Sequence, residues 1–171
     1  MRIELERLEE FGGRFSRAYE TGELPLEDAE VRLVGPANIH GRIGRKGTEV
    51  ELRGELDAKI SVPCGRCLQP VEVPIHSKFA ERFVPAVSWG AETQHELAEE
   101  DLNLAVFDGK AIELDDLVRE EILLGVPGHV LCSEDCKGLC PTCGIDRNLG
   151  NCQCDTDEID SRWQRLKELQ M

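Results

Sequence analysis

Apolar and polar residues alternate with a period of two through most of the first half of the chain, the mark of strands with one buried face. Val50 and Leu52, then Leu56, Ala58 and Ile60 beyond Gly54, stand between charged or polar neighbours. This pattern predicts strands over 29–34, 37–43, 48–62 and 71–84. It also predicts a short strand over 1–8, where Ile3 and Leu5 alternate with Glu4 and Glu6 before Gly12-Gly13 interrupts. Gly35-Pro36, the run Gly44 to Gly47, and Cys64 to Pro70 are turn signals between them. Strands joined by such short turns pair antiparallel.

The periodicity then changes. Residues 86–101 carry many Glu and no period, which predicts an exposed acidic loop. Short strands are expected over 102–107 and at Ile112, around the hairpin signal Asp108-Gly109. Asp115 or Asp116 is placed to cap a helix with Leu117, Val118, Ile122 and one of Leu123 and Leu124 on its apolar stripe, ended by Gly125 and Pro127. A terminal helix is expected after Asp160 or Ser161, with Trp163, Leu166 and Leu169 on one stripe. The predicted class is α+β: a mainly antiparallel, partly barrel-like sheet with one or two helices and a cysteine-rich C-terminal zinc segment. The expected division is a β-rich domain over 1–130, holding a C-x2-C knuckle, and a zinc-binding segment with the terminal helix over 131–171.

Composition narrows the function. At 171 residues the chain fits one domain with an appendage. No apolar run approaches the roughly 18 residues needed to span a bilayer, and no apolar signal region follows Met1, so a cytoplasmic protein is expected. The net charge of −14 excludes a uniformly basic nucleic-acid binder. The charge is also uneven: residues up to Ala91 sum to −2 and the remainder to −12. The acidic part, from Glu92, Glu96, Glu99, Glu100 and Asp101 to Glu113, Asp115, Asp116, Glu120 and Glu121, suits a basic partner or simply a solvated face. Arg42, Arg45 and Lys46, with Arg32 and Arg53 nearby in sequence, would gather at a hairpin tip able to touch RNA phosphate. No aromatic residues interleave with them, so a base-stacking platform is not expected.

Eight cysteines in a chain without an export signal point to metal rather than disulfides. Cys64 and Cys67 form a C-x2-C knuckle between strands, with Gly65 easing the turn. Two thiolates cannot close a tetrahedral site, and Cys132 and Cys136, which follow the break at Pro127-Gly128, can complete it. Cys140, Cys143, Cys152 and Cys154 would then form a second set, with Pro141 and Gly144 shaping its first turn. An alternative set is Cys132, Cys136, Cys140 and Cys143. Sets of four thiolates suit tetrahedral structural zinc, two ions in all. An iron–sulfur cluster uses the same ligand type. A redox C-x-x-C lacks its βαβ context, and a catalytic zinc would keep an open position. His129, three residues before Cys132, is a candidate substitute ligand or an ordinary loop histidine. His40, His76 and His95 form no catalytic constellation, and no paired carboxylates stand out. The chain is therefore expected not to be an enzyme and to take no small-molecule substrate.

The segments Cys64-Gly65-Arg66-Cys67-Leu68, Leu131 to Gly144, Asn148, Cys152-Gln153-Cys154 and Ile159 to Trp163 together resemble the YceD family of large ribosomal RNA subunit accumulation proteins. Ser161 stands where the family often has Pro. The resemblance implies a factor supporting accumulation of large-subunit (23S) ribosomal RNA, whose gene commonly neighbours that of a small basic ribosomal protein. Members that lack the last four cysteines imply that Cys64, Cys67, Cys132 and Cys136 group as the older site. The expected action is binding of a basic ribosomal protein through the acidic surface. The alternative is direct binding of precursor rRNA through the basic tip and the zinc loop.

Overall fold

The structure, a computed structural model, describes residues 2–5, 12–28, 30–89 and 104–154. It contains β1 (Arg2–Glu4), β2 (Gly13–Tyr19), β3 (Arg32–Leu33), β4 (Ala37–Lys46), β5 (Glu49–Pro63), β6 (Pro70–Pro85), α1 (Ala86–Trp89), β7 (Leu104–Phe107), β8 (Ala111–Glu113) and α2 (Leu114–Leu124). Most of the acidic stretch before residue 104, the terminal helix expected after Asp160, and Trp163, Leu166 and Leu169 lie outside the described residues.

The chain divides into two compact units. One comprises Met1–Val62 with Glu72–Gly128, the other Pro63–Val71 with His129–Met171. The knuckle thus groups with the cysteine-rich segment rather than with the β-rich part, because its backbone bonds run to residues 130 and 139.

In the first unit the sheet order is β2-β4-β5-β6-β7, with β3 paired to β5, and β1 pairs β8 in a separate ribbon. The path is open at β2 and β7, so no closed barrel forms among the described residues. β4 and β5 are antiparallel, with Lys46 opposite Glu49 across the Gly47-Thr48 turn. Gly47 takes φ +66, a conformation glycine adopts freely. The strand β2 was not legible as one, because Arg17 interrupts the apolar alternation of Phe15 and Tyr19. Here the Arg17 guanidinium lies 4.4 Å over the Tyr19 ring, which accommodates the charge on the inner face.

The expected hairpin at Asp108-Gly109 does not form. β7 pairs parallel to β6 and β8 pairs antiparallel to β1, so the two strands leave the turn for different sheets. The Asp108 carboxylate instead accepts the Lys110 and Ala111 amides at 2.8 and 3.0 Å, holding an Asx turn. In α2 the buried stripe is Leu114, Leu117, Val118 and Ile122, while Leu124 is exposed. Each of these four contributes about 1.5–3 kcal/mol of burial. Glu113, not Asp115 or Asp116, occupies the N-cap, without a side-chain cap. Asp115 accepts the Tyr19 hydroxyl at 2.6 Å. Burial, and then the bond to this carboxylate and its charge, hold the Tyr19 phenol well above its ordinary range. No described helix is long and apolar enough to cross a membrane.

Gly41 and Gly54 are directly opposite one another in β4 and β5. A Cβ at Gly41 would stand 2.3 Å from the Arg53 carbonyl oxygen and 2.8 Å from the Phe15 ring; at Gly54 it would stand 2.3 Å from the His40 carbonyl oxygen and 2.8 Å from the Phe79 ring. The two rings pack with centroids 6.4 Å apart in the space the missing side chains leave. Gly54→Ala is expected to destabilise the protein by about 1–3 kcal/mol in urea unfolding. Gly44→Ala, where nothing stands within 4 Å, should stay within about 0.5 kcal/mol. Equal midpoints for the two variants would contradict this close approach of the strands.

Candidate metal centre

The second unit is built on two turns of the same design. In the first, the Cys64 amide donates to the Gln69 carbonyl at 2.8 Å and the Leu68 amide to the Cys64 carbonyl at 3.0 Å. In the second, the Cys140 amide donates to the Ile145 carbonyl and the Gly144 amide to the Cys140 carbonyl, both at 2.9 Å. The fifth residue of each turn has positive φ: Gly144 at 73° and Leu68 at 61°. Glycine suits this position. Leu68 takes it at a steric cost of roughly 1–2 kcal/mol, with its side chain 63% exposed.

Each turn aims backbone amides at its first sulfur. The Arg66 amide lies 3.5 Å from Cys64 Sγ, and the Cys132 amide approaches the same atom at 3.4 Å. The amides of Cys67 and Arg66 pull the Cys64 thiol down to about 6, and those of Cys143 and Thr142 pull Cys140 down to about 6. One thiol of each set resists ionisation most. At Cys67 the Gln69 amide works downward, but burial and the sulfurs of Cys132, Cys136 and Cys64 push it up to about 12. Cys154 is likewise pushed up to about 12, by Cys143, burial, Cys152 and Cys140. Four sulfurs this close carry four negative charges only if a cation stands among them.

The fold brings the eight cysteines into two tetrads: Cys64, Cys67, Cys132 and Cys136, and Cys140, Cys143, Cys152 and Cys154. Within each, all sulfurs lie within 4.8 Å of one another. Cys64 and Cys136 Sγ are 3.8 Å apart, and Cys67 and Cys132 Sγ 3.6 Å. Thiolates about 2.3 Å from one tetrahedral zinc ion would stand about 3.8 Å apart, so the donor set fits a single ion of this size. The combination of Cys132 and Cys136 with Cys140 and Cys143 is not the one assembled. His129 is exposed and belongs to neither tetrad.

Two residues that support the first tetrad were not singled out for that role by spacing. Arg66 Nη1 donates to the carbonyls of Glu134 and Cys136 at 3.1 and 2.9 Å, while its own carbonyl accepts the Leu139 amide at 3.0 Å. Asn148, from the second loop, donates to Cys136 Sγ at 3.4 Å and accepts the Lys137 amide at 2.8 Å. Despite burial, the Asn148 amide and the Gly138 N–H hold the Cys136 thiol below its ordinary range. The only sequence signals were the position of Arg66 between the two cysteines of the knuckle and the family resemblance at Asn148. Beyond these, the described residues of the unit form a small core of Cys64, Cys67 and Cys136 with Val71 and Leu139.

Strand alternation separates the residues expected at the basic tip. Arg42 and Lys46 lie on the outer face of β4, whereas Arg45, opposite Val50, lies on the other parity and donates Nε to the Gly47 carbonyl at 3.0 Å.

Metal analysis of the purified chain is expected to give two divalent ions per molecule, falling to one in Cys64→Ser. Three ligands of the first tetrad are buried but only Cys140 of the second, so a chelator should empty the second first, in two resolved phases. Arg66→Ala should weaken retention at the first tetrad by about 10–100-fold, as losses around metal ligands do. Single-phase release with unchanged retention would refute this ordering.

Among curated proteins the chain is similar to YlbN of Bacillus subtilis (strain 168), 26% identical over 91% of this chain and 86% of that protein. It is similar to Mb2951c of Mycobacterium bovis and Rv2926c of Mycobacterium tuberculosis (H37Rv), each 27% identical over 99% of this chain and 81% of theirs. No solved structure matches it. Residues 52–170, which span both tetrads, match the family model described as large ribosomal RNA subunit accumulation protein YceD. The chain belongs to the YceD family.

Proposed function

We propose that this protein is a non-enzymatic cytoplasmic factor that supports accumulation of large-subunit ribosomal RNA by holding a basic ribosomal protein on an acidic groove. Zinc fills both tetrads and acts structurally. Family membership supports the RNA role, and the four-thiolate donor sets support closed structural sites.

The observation that carries the choice of partner is a groove of about 410 Å³ in the first unit. Glu81, Asp108, Glu113, Asp116 and Glu120 line it with Phe83 and Phe107 beneath, against a single cation, Arg2. The two rings meet edge to face at 6.3 Å. An apolar floor under a carboxylate rim suits a Lys or Arg side chain, whose stem is apolar and whose head is charged. Burial, and then the charges of Glu121 and Glu120, raise the Glu81 carboxyl above its ordinary range. An incoming cation would relieve that repulsion.

The test is isolation of the protein with its bound partners. A basic ribosomal protein, released by moderate salt, is the expected result; recovery of none, or salt-insensitive binding, refutes the reading. A second expectation concerns the groove alone. Because the Glu81 carboxyl titrates higher in the folded state than in the unfolded one, its ionisation destabilises the fold as pH rises through the folded value. Glu81→Gln should therefore raise the thermal midpoint at pH near 7 and leave it nearly unchanged below about pH 4, where both forms are neutral.

A further inference from the structure

On three neighbouring strands of the first unit, arginines stand side by side. Arg14 of β2 is opposite Arg42 of β4, and Arg42 is opposite Arg53 of β5. All three are exposed. Directly opposed residues have Cβ atoms about 4.5–5.5 Å apart, and like charges so placed repel. Elsewhere on this face several basic side chains have carboxylate partners, whereas Lys46 and Arg32 have none among the described residues. His40 and Lys78 approach Glu55 at 3.9 and 3.2 Å, His76 meets Asp57, and Lys59 meets Glu72. In the arginine row only Arg53 is matched, by Glu51 from its own strand. Among the described residues Arg14 and Arg42 have no carboxylate partner, in a chain of net charge −14. Two open depressions flank Arg42. One, of about 800 Å³, is lined by Arg42, Arg53 and His40 together with Glu51, Glu55 and Phe79. The other, of about 410 Å³, has Arg14, Ser16 and Arg42.

We infer that Arg14, Arg42 and Arg53 form a binding surface for the phosphate backbone of RNA. The row crosses three strands spaced about 4.8 Å apart, so its Cα atoms span about 10 Å, too wide for one phosphate and suited to two or three successive ones. Guanidinium groups match phosphate oxygens through paired N–H donors. The site is an open face rather than a pocket, which favours a polymer over a small anion. The rings nearest the row, Phe15 and Phe79, line the two depressions but are only 8% and 6% exposed, too little to offer a face to a base, so the contact is to backbone rather than to stacked bases. This surface does not rest on the basic-protein reading, and failure to capture a ribosomal protein would leave it standing.

The test uses the full metal-loaded chain and a fluorescein-labelled single-stranded RNA of roughly 20 nucleotides and mixed sequence, titrated at several salt concentrations. The triple variant Arg14→Gln, Arg42→Gln, Arg53→Gln is expected to bind at least about tenfold more weakly, with a log–log salt slope shallower by about 2 for three lost phosphate contacts. The control Lys59→Gln, Lys78→Gln, which removes partnered cations of the same face, should bind within about twofold of the parent. Thermal midpoints are read on the same samples. Removing opposed like charges should leave the triple variant at least as stable as the parent, so lost binding cannot come from unfolding. A parent that binds no RNA, or a triple variant that binds as well as the parent, overturns the inference. So does loss in the triple variant of binding to phosphatidylglycerol vesicles or poly-glutamate with RNA affinity unchanged, which would assign the row to a lipid surface or an acidic peptide.

Discussion

The second unit depends on cancelling the charge of crowded sulfur. Among the described residues its buried side chains are Cys64, Cys67, Cys136 and Cys140, with Val71 and Leu139 packed against the first three. The core that these described residues make is small beside the backbone entropy of ordering them. A structural zinc ion, with an apparent binding free energy of about 10–16 kcal/mol at neutral pH, is of the size needed. The first tetrad joins cysteines 65 to 72 positions apart in sequence, so metal binding there also closes a long loop.

The two turns show how the backbone prepares this chemistry. Both use the same pair of hydrogen bonds, and both direct the amides of their third and fourth residues at the first sulfur. These amides favour the thiolate form at Cys64 and at Cys140, the form in which sulfur would hold a metal ion. The turns differ at one place, where Gly144 fits without strain and Leu68 does not. Arg66 ties the first turn to the loop carrying Cys136, and Asn148 brings the second loop to the sulfur of Cys136. The tetrads therefore share support although they share no ligand.

What could be read from the chain follows how local each determinant is. The C-x2-C turns are set by a few adjacent residues and were legible from spacing, whereas spacing left the grouping of the cysteines open between two sets, which the fold decides. Also legible were β4 and β5, whose alternation extends over many residues, and the buried face of α2. Strand pairing is not local. Nothing near Asp108 tells that β7 joins β6 in parallel while β8 leaves for β1. The open sheet path is hidden for the same reason. The roles of Arg66 and Asn148 depend on where loops distant in sequence meet. At the basic tip, strand alternation adds what counting charges near a turn leaves out: Arg42 and Arg45, three apart on a strand, fall on opposite parities.

Register also explains why the charges of the first unit matter more in space than in sum. A surface serving solubility alone intersperses its signs, and most of the outer face does so, pair by pair. Among the described residues, two places gather like charges instead. One gathers carboxylates around Glu81, whose ionisation its neighbours oppose. The other aligns Arg14, Arg42 and Arg53 across three strands. Each arrangement costs stability in isolation, since like charges are brought together for no internal gain. Each becomes favourable when counter-charge arrives from outside, cationic in the first case and anionic in the second. Opposite signs at the two places would keep a cationic and an anionic ligand from occupying each other's site.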